Sequence, residues 1–225
     1  MLRFLAPASI ALVIGAAGIG IAAREGSVTP AVVVLPAPTI GTGLAPVSAV
    51  DTAVFAGGCF WGIEAVFEHI KGVQSAVSGY TGGRTPSPSY EDVSTGTTGH
   101  AESVRVVYDP AVVSYGQLLQ VFFSVAHDPT QLNRQGPDHG TQYRSAIFYR
   151  TKEQQQAAEA YVKQLTAAKT FARPIVTQIV PLARFYPAED YHQDYMAHHP
   201  DQPYIVYNDA PKVERLKQQF PQLFR

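Results

Sequence analysis

The sequence predicts an α+β fold, a two-layer sandwich of helices packed on a mixed β-sheet, and three observations predict it. Runs of β-branched and alternating apolar residues take turns along the chain with stretches of helical spacing. Two long polar loops, Thr81 to Tyr90 and His127 to Tyr143, interrupt that alternation and are rich in Gly, Pro, Ser, Asp and Asn. No internal repeat is present, which sets aside solenoids and propellers.

Taken in order, Met1-Leu2-Arg3 is followed by an apolar stretch from Phe4 to Ala23 and by Arg24-Glu25. Residues 1–26 therefore read as a signal peptide, with Gly20 and Ala22 available for cleavage, or as an N-terminal membrane anchor, since about twenty apolar residues can span a bilayer. Either reading predicts an exported protein, periplasmic or anchored facing outside the cytoplasm. Residues 27–50 hold Pro, Ala and Val without a charged side chain and read as a linker, although Ala31 to Leu35 could form an edge strand. The folded domain is expected over 51–225.

Within it, Thr52 to Ala56 predicts a strand, and Ile63, Val66, Phe67 and Ile70 fall on one helical face. Val73 to Tyr80 and Ser103 to Tyr108 predict strands, the second closed by Asp109-Pro110. Ser114 can cap a helix from Tyr115 to Ala126, whose Leu118, Leu119, Phe122 and Phe123 form its apolar face. Ser145 to Tyr149 predicts a strand. Thr151 and Gln154 fit a capping box for a helix to about Lys169. Ile175 to Val180 predicts the last strand, followed by short helices near Glu189 to Ala197 and Lys212 to Phe220.

Composition narrows the function. A chain of 225 residues with 46% hydrophobic residues can bury one core. With 17 basic against 18 acidic residues and no basic run, it has no nucleic-acid footprint. A single cysteine excludes an intrachain disulfide and cysteine-rich zinc modules. His198-His199, without carboxylate or cysteine spacing, is weak evidence for a metal.

That cysteine is the centre of interest. Cys59 follows Gly57-Gly58 and precedes Phe60-Trp61-Gly62, so it should sit where a strand turns into the first turn of a helix. Free N–H groups and the positive end of the helix dipole there are expected to lower the thiol pKa and give a nucleophilic thiolate. A lone cysteine is otherwise most often a small buried hydrophobe. Glu102, at the mouth of an apolar strand, could be held protonated by partial burial or be an ordinary solvated carboxylate. Tyr90 and Tyr143 end the two loops and could donate hydroxyls, although most of the twelve tyrosines must be packing residues. Asp138 could orient a partner or a water, or only shape a turn.

Four blocks carry a family resemblance: Gly58-Cys59-Phe60-Trp61-Gly62, Gly79-Tyr80-Thr81-Gly82-Gly83, Gly99-His100-Ala101-Glu102 and Asp138-His139-Gly140-Thr141-Gln142-Tyr143-Arg144-Ser145. In this order they resemble peptide methionine sulfoxide reductase type A over about Ala53 to Phe220. The resemblance implies a ferredoxin-like sandwich, no metal and no bound organic cofactor. It implies that Cys59 attacks the sulfoxide sulfur of the S epimer of methionine sulfoxide, free or in proteins. Glu102 would protonate the oxygen, Tyr90 and Tyr143 would hydrogen-bond it, and Asp138 would support the polar side. Phe60 and Trp61 would bind the substrate methyl group.

Many relatives carry a second, resolving cysteine in the C-terminal tail, and this chain resembles the single-cysteine form. Its Cys59 sulfenic acid would be reduced by an external thiol, from a thioredoxin-like or glutaredoxin-like protein or a small thiol. A monomer is expected. Two rival readings stand beside it: a cysteine hydrolase pairing Cys59 with His127, His139 or His192, and a non-catalytic peptide-binding module.

Overall fold

A computed structural model describes residues 35–47 and 49–225. The expected leader over 1–26, and the alternative edge strand apart from Leu35, lie outside the described residues. The chain runs β1 (Asp51–Ala56), α1 (Phe60–Glu68), β2 (Val73–Thr81), α2 (Tyr90–Ser94), β3 (Ala101–Tyr108) and α3 (Tyr115–Val121). A small hairpin, β4 (Arg134–Gln135) and β5 (Asp138–His139), precedes β6 (Ala146–Tyr149) and α4 (Lys152–Ala167). Then come β7 (Gln178–Pro181), β8 (Phe185–Pro187), α5 (Tyr195–His198) and α6 (Ala210–Gln219).

Six strands form one mixed sheet in the order β7-β6-β1-β3-β2-β8. The β6/β7 pair is parallel and every other neighbouring pair is antiparallel. Strand alternation then sorts the faces. Ala53 and Phe55 of β1, and Val104, Val106 and Tyr108 of β3, belong to the main core with the helices. Val54, Ala56 and Phe148 belong to a smaller cluster closed by Val180, Leu182 and Phe185. Phe55 sits at the centre of the main core, stacked at 5.0 Å on Phe67 of α1 and at 4.9 Å on Phe122. Glu102 has the parity of Val104 and lies opposite Tyr80 across the β2/β3 pair. Its carboxyl is thereby turned toward the helix layer, at the level where α1 begins.

Several elements depart from the sequence expectation. The helix expected over 115–126 is α-helical only to Val121, and Phe122–Ala126 form a π turn. A second π turn, Ile205–Asp209, leads into α6, which therefore starts earlier than Lys212. The last expected strand begins at Gln178 rather than Ile175, and β8 follows it. Near Glu189 to Ala197 the chain forms a 3-10 turn, Asp190–His192, and the four-residue α5. The capping box at Thr151 is half formed: Thr151 Oγ1 accepts from Gln154 N, while Gln154 Oε1 accepts from Arg150 N instead.

The uncharged stretch before β1 is more than a free linker. Leu35 is buried in the main core. Its carbonyl accepts from Gln120 Nε2 at 2.7 Å, Pro36 O accepts from Tyr161 OH at 2.8 Å and Ala37 O accepts from Gln164 Nε2 at 2.9 Å. Gly41 O then accepts from Gly116 N at 2.7 Å. An uncharged segment can lie this way because its backbone carbonyls find donors on α3 and α4.

Candidate active site

Cys59 occupies the N-cap position of α1, at the end of β1. The two preceding glycines are required by what lies behind them. A Cβ on Gly57 would come within 2.8 Å of the His127 ring, and one on Gly58, where φ is +98°, within 2.6 Å of Gln135.

A cavity of about 260 Å³ opens beside Cys59, and all seven residues singled out in the sequence line it: Cys59, Phe60, Trp61, Tyr90, Glu102, Asp138 and Tyr143. Gln202 and Tyr204 complete the wall. A larger groove of about 490 Å³ between Leu165 and Ile175 contains no cysteine or carboxylate.

Glu102 is 3% exposed, and its Oε2 accepts from the backbone N–H of Phe60 at 3.1 Å. Burial, and the neighbouring Asp138 and Asp209, push its pKa up to about 8 despite that hydrogen bond. At neutral pH the carboxyl is a proton donor.

The thiol does not behave as the helix start alone suggests. A backbone hydrogen bond from Trp61 favours the thiolate, but burial, followed by the charges of Glu102 and Asp209, pushes the pKa well above the ordinary cysteine range. Desolvation of a small anion outweighs the partial charge of one helix terminus. The resting group is the neutral thiol.

Burial likewise raises the pKa of Tyr90 and Tyr143, so both phenols keep their donor hydrogens. Asp138 accepts from the hydroxyl of Tyr204. Phe60 is buried against Tyr80 and His192, with ring centroids at 5.9 and 5.1 Å. Trp61 is partly buried and stacks on Tyr195 at 3.8 Å with an interplanar angle of 8°. Its indole N–H donates to His192 Nδ1 at 3.2 Å, and Tyr204 stands edge-on at 5.9 Å. The indole plane is thus held on three sides.

Tyr195, Tyr204 and Asp209 were not singled out from the sequence, and His192 was named there only as a hydrolase partner for Cys59. The one available signal was that a half-buried indole N–H needs an acceptor. Asp209 is fully buried against Gly62 of α1, where a Cβ would lie 2.1 Å from its Oδ1, and that oxygen accepts from Lys212 Nζ at 3.0 Å.

None of the histidines named for a hydrolase lines this cavity. His127 contacts Phe122 O and Ser145 Oγ through its two ring nitrogens. His139 is exposed on the β4/β5 hairpin and His192 is committed to Trp61. The cysteine-histidine pair that acyl transfer needs is not formed.

A neutral thiol facing a protonated carboxyl and phenolic donors across an aromatic wall, on a mixed α+β sheet, defines a cysteine-dependent oxidoreductase. The family model described as peptide methionine sulfoxide reductase matches residues 51–223. The chain belongs to this family. It is 62% identical over 174 residues to peptide methionine sulfoxide reductase MsrA 2 of Mesorhizobium japonicum, covering 77% of this chain and 89% of that protein. Among solved structures it is similar to methionine sulfoxide reductase A of Corynebacterium diphtheriae, with a TM-score of 0.59 at 40% identity, covering 75% of this chain and 84% of the other. It is also similar to Mxr1 of Saccharomyces cerevisiae in reduced form, with a TM-score of 0.62 at 33% identity, covering 71% and 91%.

Proposed function

We propose that the protein reduces the S epimer of methionine sulfoxide, free or in proteins, to methionine, and so repairs oxidised proteins. The observation that carries this reading is the buried, protonated Glu102 sharing one small cavity with the only cysteine of the chain. A sulfoxide oxygen leaves sulfur only when protonated, so the reaction needs an acid beside the nucleophile. The substrate methyl group lies against Phe60 and Trp61. Its oxygen accepts from Tyr90, Tyr143 and Glu102, while Asp138, held by Tyr204, supports the polar wall.

As Cys59 sulfur attacks, Glu102 gives its proton to the oxygen and regains one from the thiol. Sulfoxide plus thiol becomes methionine plus Cys59 sulfenic acid, with no net change in protons. This order of events suits a neutral resting thiol, because the sulfur ionises only as positive charge develops on its target.

With one cysteine in the chain, regeneration falls to an external thiol, from a thioredoxin-like or glutaredoxin-like protein or a small molecule. The antiparallel β6-β1-β3-β2 order, with α1 and α3 in the two crossovers, supports a ferredoxin-like core. Export, through a cleaved signal or a retained membrane anchor, is supported by the basic start and apolar run of residues 1–26. The enzyme acts as a monomer.

The test is a single turnover without reductant. One equivalent of methionine per enzyme and a mass gain of one oxygen on Cys59 are expected, and Cys59→Ser should release none. An unmodified thiol after exposure to the sulfoxide would overturn the reading.

A further inference from the structure

We propose that the reducing thiol reaches Cys59 through a second, narrower cleft, whose basic rim selects a small thiol bearing a carboxylate. The proposal rests on the sulfenic-acid chemistry above and adds the route and class of the reductant. Cys59 borders two cavities. The second, of about 70 Å³, is lined by Gln135, Gly136, Pro137, Asn208 and Lys212, and shares only Cys59, Asp138 and Tyr204 with the substrate cavity. Its volume is roughly twice the ~30 Å³ that one water occupies in the liquid, room for the sulfur and methylene of an entering thiol.

The geometry of displacement at sulfur makes two cavities useful. An incoming thiolate attacks along the extension of the bond being broken. The sulfenic oxygen is delivered from the side of Glu102, Tyr90 and Tyr143, and it stays there. Attack must therefore come from another side of Cys59, and the second cleft is the cavity that leads to it. The thiolate forms an S–S bond to Cys59 as the S–O bond breaks, and Glu102 protonates the departing hydroxide to water. A second thiol molecule then attacks the mixed disulfide, giving Cys59 thiol and a free disulfide, so two thiols are oxidised per sulfenic acid reduced.

The cleft is built from held groups. Gln135 is fixed at both ends of its amide by Asp128, accepting from its N–H at 3.1 Å and donating to its carbonyl at 2.7 Å. Arg134 Nη2 donates to Gly136 O at 2.8 Å, which places a guanidinium at the rim. The Lys212 side chain is only 14% exposed and is anchored by the fully buried Asp209. That contact uses one of its three ammonium hydrogens and leaves donors for an anion. Asp138 is the acidic wall residue, already occupied by Tyr204. A carboxylate on a short arm behind the sulfur meets Lys212 and Arg134 as its sulfur meets Cys59.

The test compares thiols of different charge on the sulfenic-acid enzyme made with one equivalent of methionine sulfoxide. Failure to release methionine at this first stage would overturn the reduction chemistry itself. Stopped-flow reduction is then followed with mercaptoacetate, 2-mercaptoethanol and cysteamine, each rate corrected for its thiolate fraction. The wild-type protein should react about tenfold faster with mercaptoacetate than with the neutral thiol, and slowest with cysteamine. Lys212→Arg should keep that ranking, and Lys212→Gln should bring the three rates within about threefold. Each ratio is taken within one variant, so partial loss of folded protein cancels. Methionine release followed by equal wild-type rates, or an unchanged ranking in Lys212→Gln, would overturn the cleft proposal and leave the reductase reading intact.

Discussion

Glu102 couples activity to stability through a single proton. The acid form does the chemistry, and with a pKa near 8 it disappears as pH rises through that value. The sulfoxide-dependent kcat/KM should therefore fall tenfold per unit above about pH 8. Glu102→Gln should lose about 10²- to 10⁴-fold in rate at pH 7. Stability also declines with rising pH, but over a lower window. The folded pKa lies above the ordinary carboxylate value, so between about 4.5 and 8 the folded state holds a proton that the unfolded chain has lost, and stability falls across that window. Glu102→Gln should gain stability relative to the wild type as pH rises from 5 to 8, by roughly 1 to 3 kcal/mol at the upper end; denaturant melts at the two pH values check this. The identity of Cys59, Phe60, Trp61 and Glu102 as a constellation was legible in short motifs. The ionisation of Cys59 was not, because it is set first by burial and then by Glu102 and Asp209, and the walls that bury the sulfur include Tyr204 and Lys212, which arrive from about 150 residues further along the chain.

Among the elements, the segment from Leu35 to Gly41 has the most surprising part. Low charge and many prolines and glycines read as a spacer, and nothing local announces that Gln120, Tyr161 and Gln164 wait for its carbonyls. Leu35→Ala should cost about 2 to 3 kcal/mol, near the lower end for a buried leucine, and Tyr161→Phe about 1 kcal/mol for one hydrogen bond. Urea unfolding of both variants measures this, and no loss in either would mean the segment is not docked in solution. The long, strongly patterned elements β1, α1, β2, β3 and α4 were readable because each satisfies its own periodicity. Strand β8 was not: its three residues are ordered by pairing with β2, where Gly79 lets the backbone approach, since a Cβ there would meet Tyr186 O at 2.3 Å. The π turns ending at Ala126 and Asp209 were equally hidden, because their spacing is set by tertiary packing and no helix propensity marks them.

At the scale of the molecule, one sheet delivers the acid from β3, one helix start delivers the sulfur, and the tail from Gln202 to Lys212 walls both cavities. The layered class could be read from alternation alone, whereas the role of the tail could not, since it depends on α6 folding back onto α1. That convergence also gives the protein an internal light source. Trp61 is the only tryptophan in the chain, and it is wedged between Tyr195, His192 and Tyr204 where substrate should enter. All indole emission from these molecules therefore originates at the mouth of the reaction chamber. Adding methionine sulfoxide to Cys59→Ser protein should shift or quench that emission saturably, so a dissociation constant can be read without label or turnover; a spectrum indifferent to the sulfoxide would remove Trp61 from the binding slot.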